Sequence, residues 1–101
     1  MTARWTVRYL GPAQRDLQEI VEYINRDDSE PATAFVDEID KSLSRLTLFP
    51  RSGSLPKDDR LRRLGYRVVP VREYLAFYVV RGRTVQIRRI IHGRRRYEFL
   101  L

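Results

Sequence analysis

His92 is the only side chain of this 101-residue chain whose proton exchange falls near neutral pH without perturbation, and it opens the run His92-Gly93-Arg94-Arg95-Arg96-Tyr97. A histidine to move a proton, Arg95 to stabilise charge on a phosphorane, and Tyr97 to act as an acid or orient a phosphate would make a metal-free site. Its chemistry would be attack by a ribose 2′-hydroxyl on the neighbouring phosphate. A lone histidine before glycine at a strand end also has a plain structural role, with its ring bonded to the backbone of the turn. No second titratable residue of obvious catalytic spacing accompanies His92.

Around this run lies an excess of cations. The chain carries 20 Lys and Arg against 13 Asp and Glu, a net charge of +7 and a pI near 10.4, which favours a polyanion or a strongly acidic protein as partner. Arg60, Arg62, Arg63 and Arg67 form one group in sequence, and Arg88, Arg89, Arg94, Arg95 and Arg96 another. If Arg67 and Arg88 share a sheet face that helices leave uncovered, these cations converge on one surface suited to phosphates or carboxylates. Scattered arginines would be a solvated face of no specific purpose, whereas clustering at strand ends favours binding. Arg62, Arg63, Arg67, Arg88, Arg94, Arg95 and Arg96 are the candidate partner-binding set.

Other chemistries find little support. There is no cysteine, hence no disulfide framework, thiol nucleophile or Cys-based zinc site, and a single His makes a transition-metal site improbable. No cofactor is expected. Asp27-Asp28 and Asp58-Asp59 stand in turn sequences where Asp bonds its own backbone. The glycines form no phosphate-cradling motif. No apolar run approaches the roughly 20 residues of a membrane span, and MTARWT lacks a signal-peptide core, so the expected setting is cytoplasmic and away from membranes.

The elements that must position these groups follow from periodicity. A 43% hydrophobic content over 101 residues predicts one folded domain, 1–101. Trp5, Val7 and Tyr9 alternate with polar neighbours as a half-buried strand does, ending at Gly11-Pro12. From Ala13, Leu17, Ile20, Val21 and Ile24 predict an amphipathic helix of about three turns, with Arg15, Asp16, Gln18, Glu19 and Glu22 on its polar face. Asp28 or Ser29 would cap a second helix with Pro31 in its first turn, its stripe being Phe35, Val36, Ile39, Leu43 and Leu46, and Phe49-Pro50 its stop. Residues 50–59 read as a surface loop and Leu61 to Val71 as a strand, with Pro70 at a bulge or strand end. Tyr74 to Val80 reads as a central strand buried on both faces, joined through Arg81-Gly82-Arg83 to a last strand, Thr84 to Ile91. Arg89 falls in phase with Val85 and Ile87, either in the core with a carboxylate partner or at an edge. Tyr97 to Leu101 would form a helical turn on the sheet edge. The fold class is α+β, in the order β-α-α-β-β-β, a helical hairpin on one face of a small, mostly antiparallel sheet. The uncovered face is where function is expected.

These ordered features resemble the RelE/ParE superfamily of bacterial toxins from type II toxin–antitoxin pairs, closer to its ParE-like branch. The likeness runs through Ala13-x-x-Asp16-Leu17-x-x-Ile20-x-x-Tyr23-Ile24, Ala34-Phe35-x-x-Glu38-Ile39, Leu46-x-x-Phe49-Pro50 and Gly53. It continues through Leu61-Arg62, Gly65-Tyr66-Arg67, Tyr74-Leu75-x-Phe77-Tyr78 and Val85-x-Ile87-x-x-Ile90-x-His92-Gly93-x-Arg95. The resemblance implies a growth-inhibiting toxin, of the kind tied to plasmid stabilization, neutralised by a cognate antitoxin whose acidic segment wraps it. ParE-like members poison DNA gyrase, and RelE-like members cleave messenger RNA on the ribosome. In the RelE-like pattern an Arg precedes the aliphatic-aromatic run of the third strand, where this chain has Leu75. That departure favours gyrase, with the cluster from Arg88 to Arg96 as the contact with gyrase or antitoxin. On the endoribonuclease reading, Arg67 and Arg95 would hold phosphate and His92 or Tyr97 move the proton.

Overall fold

The computed structural model describes residues 4–27 and 31–101. In chain order they form β1 (Thr6–Tyr9), α1 (Gly11–Asp27), α2 (Ala32–Ser44) with a 3-10 turn at Arg45–Thr47, and α3 (Asp59–Arg63). Then follow β2 (Arg67–Val71), β3 (Tyr74–Arg81), β4 (Thr84–His92) and a closing 3-10 turn at Tyr97–Phe99. The sheet has the order β1-β4-β3-β2, with β1 parallel to β4 and the other pairs antiparallel. This is the α+β arrangement that the hydrophobic periods predict, with α3 added.

Gly11-Pro12 opens α1 rather than only ending β1, because proline's missing N–H and fixed φ suit a first helical turn. The helix is therefore longer than expected. The caps expected for α2 at Asp28 or Ser29 lie outside the described residues. Pro31 occupies its N-cap position in extended conformation, and α2 passes into the 3-10 turn at Arg45, before Phe49-Pro50.

The strand expected from Leu61 is in its first part the helix α3. Asp58 caps it, its carboxylate accepting the Leu61 N–H at 2.9 Å. Gly65, at φ +88°, ends it: the Gly65 N–H bonds Arg62 O and the Tyr66 N–H bonds Leu61 O, each at 3.0 Å, which closes a Schellman motif. Pro70 makes no bulge and sits within β2, a sheet edge, where the missing donor costs no ladder bond.

The bulge lies in β4. Phe77 pairs with Arg89 and Tyr78 with Ile87, leaving Arg88 as the extra residue. It shifts the phase of everything after it. Val85, Ile87 and Ile90 join the cluster under the helices, with Phe35, Ile39, Leu43, Ala76 and Tyr78, while Ile91 falls on the other face. Arg89 therefore leaves the phase of Val85 and Ile87.

The face expected to be bare is largely covered. Leu61 of α3, Tyr66, Val68, Phe77, Val79 and Ile91 form a second buried cluster, on which Leu75, Tyr97, Leu100 and Leu101 pack. The C-terminal turn thus lies on this face, with the Phe77 and Tyr97 ring centroids 4.9 Å apart. Apolar residues on both sides of β3 make it the strand that orders the rest.

Candidate functional site

Pairing register decides which candidates can meet. Arg67 stands opposite Tyr78, and His92 stands opposite Tyr74. Those partners are separated by four residue steps of one strand, about 13 Å at the rise of an extended chain. The cationic residues thus divide between two ends of β3.

At the Tyr74 end, the His92 ring meets Tyr74 edge-on at 5.3 Å, and Tyr74 meets Phe35 in the same way at 5.3 Å. His92 Nδ1 accepts the Arg94 backbone N–H at 3.2 Å, so the ring closes the turn that launches the tail. Arg94, Arg95 and Arg96 are exposed, with the Arg96 guanidinium 5.4 Å from the Phe99 ring centre. His92 and Arg95 line a cleft of about 130 Å³ together with Asp16, Glu19, Tyr23 and Tyr74. Tyr97 is instead committed to Phe77 on the second cluster. The sequence reading missed Asp16, Glu19 and Tyr23, although their spacing places them along one side of α1.

At the Tyr78 end a hydrogen-bonded chain holds Arg67. Its Nη1 donates to Gly53 O at 2.9 Å, and the Gly53 N–H donates to the Tyr78 hydroxyl at 2.9 Å. Burial pushes the Tyr78 phenol up from its usual range, opposed by the Gly53 N–H and by the charges of Arg67 and Arg51. A cleft of about 220 Å³ opens here, lined by Arg51, Leu55, Arg62, Tyr66, Arg67 and Arg81 among others. Arg88 holds Gln86 Oε1 at 2.9 Å and lies 5.9 Å from the Tyr66 ring centre; Arg63 is exposed on α3. Of the candidate set, this cleft gathers Arg62 and Arg67, and the other end gathers Arg94 to Arg96. Arg67 and Arg88 do not share the sheet face expected of them. Arg67 stands opposite Tyr78 of the cluster under the helices, whereas Arg88 lies against Tyr66 and Gln86 on the other side, because alternation along β4 turns Gln86 and Arg88 away from Val85 and Ile87. Arg51 and Arg81 were not among the candidate cations, since Arg51 reads as part of a surface loop and Arg81 as part of the hairpin turn Arg81-Gly82-Arg83.

Neither end holds the whole set His92, Arg95, Tyr97 and Arg67. What both offer is cationic surface on rigid strand ends, which suits binding an acidic partner. Among the described residues no helix is long and apolar enough to cross a membrane.

Comparison with known proteins agrees with this architecture. Residues 7–97 match the family described as the ParE toxin of the type II toxin–antitoxin system, parDE. The chain belongs to that toxin family, within the RelE/ParE superfamily. Among solved structures it is similar to the chromosomal ParDE toxin–antitoxin system of P. aeruginosa, with a TM-score of 0.71 and 21% identity over 90% of this chain and 98% of the other. It is also similar to the RelBE2 toxin–antitoxin complex of Mycobacterium tuberculosis, with a TM-score of 0.61 and 22% identity over 88% and 98%. No curated protein matches.

Proposed function

We propose that this toxin acts by binding DNA gyrase and blocking its supercoiling activity, and that a cognate antitoxin restrains it. The observation that carries the reading is Leu75. It opens the run on β3 where a messenger-RNA-cleaving relative would carry a cation at the reacting phosphate, and its side chain packs on the second apolar cluster. His92 supports the same reading, because its Nδ1 is engaged by the turn. The exposed cations Arg94, Arg95 and Arg96 would contact gyrase or antitoxin. The two solved structures named above are a toxin–antitoxin system and a toxin–antitoxin complex, and a net charge of +7 suits an acidic, disorder-prone antitoxin segment.

The test combines a supercoiling assay on purified gyrase with primer extension on messenger RNA after induction in a bacterial host. Inhibited gyrase with intact messages is expected. Cuts phased to the ribosomal A site, with gyrase unaffected, would replace this reading with the endoribonuclease, for which His92 and Arg95 beside Glu19 would be the groups to examine.

A further inference from the structure

The cleft at the Tyr78 end has a charge balance that neither core packing nor the proposed gyrase contact accounts for. Its cations come from separate segments: Arg51 from the loop before α3, Arg62 from α3, Arg67 from the start of β2 and Arg81 from the end of β3. Of these four, only Arg62 has a carboxylate partner among the described residues, Asp59. Neutral carbonyls hold three of the four. Arg62 donates to Pro56 O at 3.2 Å, Arg67 to Gly53 O at 2.9 Å, and Arg81 to Val80 O at 3.2 Å. A carbonyl fixes the direction of a guanidinium and leaves its charge intact. The cleft therefore keeps an excess of positive charge and three of its four guanidiniums are already directed, which lowers the side-chain entropy lost on binding an anion.

We propose that this cleft is a binding site for a phosphoryl dianion. A carboxylate presents two coplanar oxygens and one charge, which a single guanidinium fork satisfies. A phosphoryl group presents oxygens in several directions and carries close to two negative charges, which suits forks arriving from separate segments. Recognition stops at the phosphoryl group. Tyr66, the aromatic side chain lining the cleft, is only 6% exposed and has Arg88 near its ring, so it offers no face on which a base could stack. Inorganic phosphate, a nucleotide and the phosphorylated end of a nucleic-acid strand share this chemistry. The site is independent of the gyrase reading, because its residues lie at the other end of β3 from the Arg94 to Arg96 tail.

The test is calorimetric titration of inorganic phosphate into the full chain at constant ionic strength. The variant Arg51→Gln/Arg81→Gln is compared with Arg94→Gln/Arg96→Gln, which removes the same charge elsewhere. The first is expected to weaken phosphate binding by about tenfold or more, given the strength of charged hydrogen bonds, and the second by less than about twofold. Arg51→Lys/Arg81→Lys, which keeps the charge and loses the forks, should fall between wild type and the glutamine pair. Adenosine monophosphate and an oligonucleotide with or without a 5′-phosphate then separate the sources. Equal binding of phosphate and the mononucleotide assigns the site to the group alone, and tighter binding of the phosphorylated oligonucleotide assigns it to a strand end. Equal weakening by both glutamine pairs would overturn the proposal, as would capture of an oligoglutamate peptide by a protein that does not bind phosphate.

Discussion

Asp16 of α1 and Arg89 of β4 meet across 73 residues of chain in a two-pronged ion pair, Nε to Oδ2 at 2.6 Å and Nη2 to Oδ1 at 2.9 Å. The same carboxylate accepts the Ile90 N–H at 2.9 Å, and Arg89 Nη1 donates to Leu100 O at 3.2 Å. The position explains the arrangement. β1 stops pairing with β4 at Ile87, so the strand beyond it has an open edge whose backbone donor needs a partner. Asp16 supplies it while neutralising the arginine that follows the bulge, and the arginine in turn ties down the C-terminal segment.

Removing the carboxylate should therefore cost more than removing the arginine. Asp16→Ala strands both a guanidinium that is only 21% exposed and the Ile90 N–H, and is expected to destabilise by about 3 kcal/mol. Arg89→Met keeps the packing of the stem and should cost less. In a double-mutant cycle by urea unfolding the two changes should total less than their sum. Strict additivity would mean that the pair contributes nothing as a pair.

Gly53 is set by space rather than by backbone conformation. A Cβ there would stand 2.6 Å from the Tyr78 hydroxyl oxygen and 2.7 Å from its Cε1, in a ring that is fully buried. Gly53→Ala is expected to cost about 2 kcal/mol, as overpacking does. Tyr78→Phe in the same chain should recover only part of that loss, because the contact with Cε1 persists. A shift of the urea midpoint smaller than a tenth of the wild-type value would contradict this.

These two relationships mark where the sequence stops being legible. The alternation of Trp5, Val7 and Tyr9, the stripe from Leu17 to Ile24 and the apolar run of β3 each state their period plainly, and the elements follow. The Arg88 bulge has no such signal, since an inserted residue changes the phase of a strand without changing its composition. α3 did leave signs in Asp58 and Gly65, a cap and a stop at helical spacing. The alternation of Leu64, Tyr66 and Val68 reads just as well as strand, and tertiary packing of Leu61 decides the matter. The candidate cations were visible as residues but not as sites. Which of them meet depends on the register of β2 and β4 against β3, and that is a long-range property.

Stability should fall at alkaline rather than neutral pH. Burial and the bond to Asp40 push the Tyr9 phenol above its usual value; burial does the same to Tyr74, with Glu73 and Tyr23 adding to it, and to Tyr78. A phenol whose folded pKa is raised contributes fully below the unfolded value of 10.0, and that contribution is lost as pH rises beyond it. Each such tyrosine steepens the loss by up to about 1.4 kcal/mol per pH unit. Urea midpoints should be flat from about pH 7 to about pH 9 and fall above about pH 10, with Tyr9→Phe giving the shallower slope. A slope unchanged in Tyr9→Phe would remove Tyr9 from the account.

The exposed tail cations carry the proposed partner contact, so their removal should be felt in binding and not in folding. Arg94→Gln/Arg95→Gln/Arg96→Gln is expected to raise the toxin concentration for half-inhibition of gyrase by about tenfold or more, and to make the remaining inhibition less sensitive to salt. Urea unfolding should stay within about 0.5 kcal/mol of wild type, as exposed substitutions usually do. Full inhibition by this variant would place the gyrase contact elsewhere on the molecule.

His92 is the residue on which surface binding and chemistry part most cleanly. With Nδ1 accepting the Arg94 N–H, the neutral ring carries its proton on Nε2 and has no free lone pair with which to act as a base. Recruiting it would require giving up the bond that shapes the turn. His92→Ala should therefore leave toxicity on induction, and gyrase inhibition by the purified protein, within about threefold of wild type, because what it removes is one weak local bond and an edge-on contact with Tyr74, both internal to the fold. Loss of toxicity in a variant that still folds and still binds antitoxin would mean that the imidazole moves a proton after all. The cleft it shares with Arg95 and Glu19 would then be the reaction site.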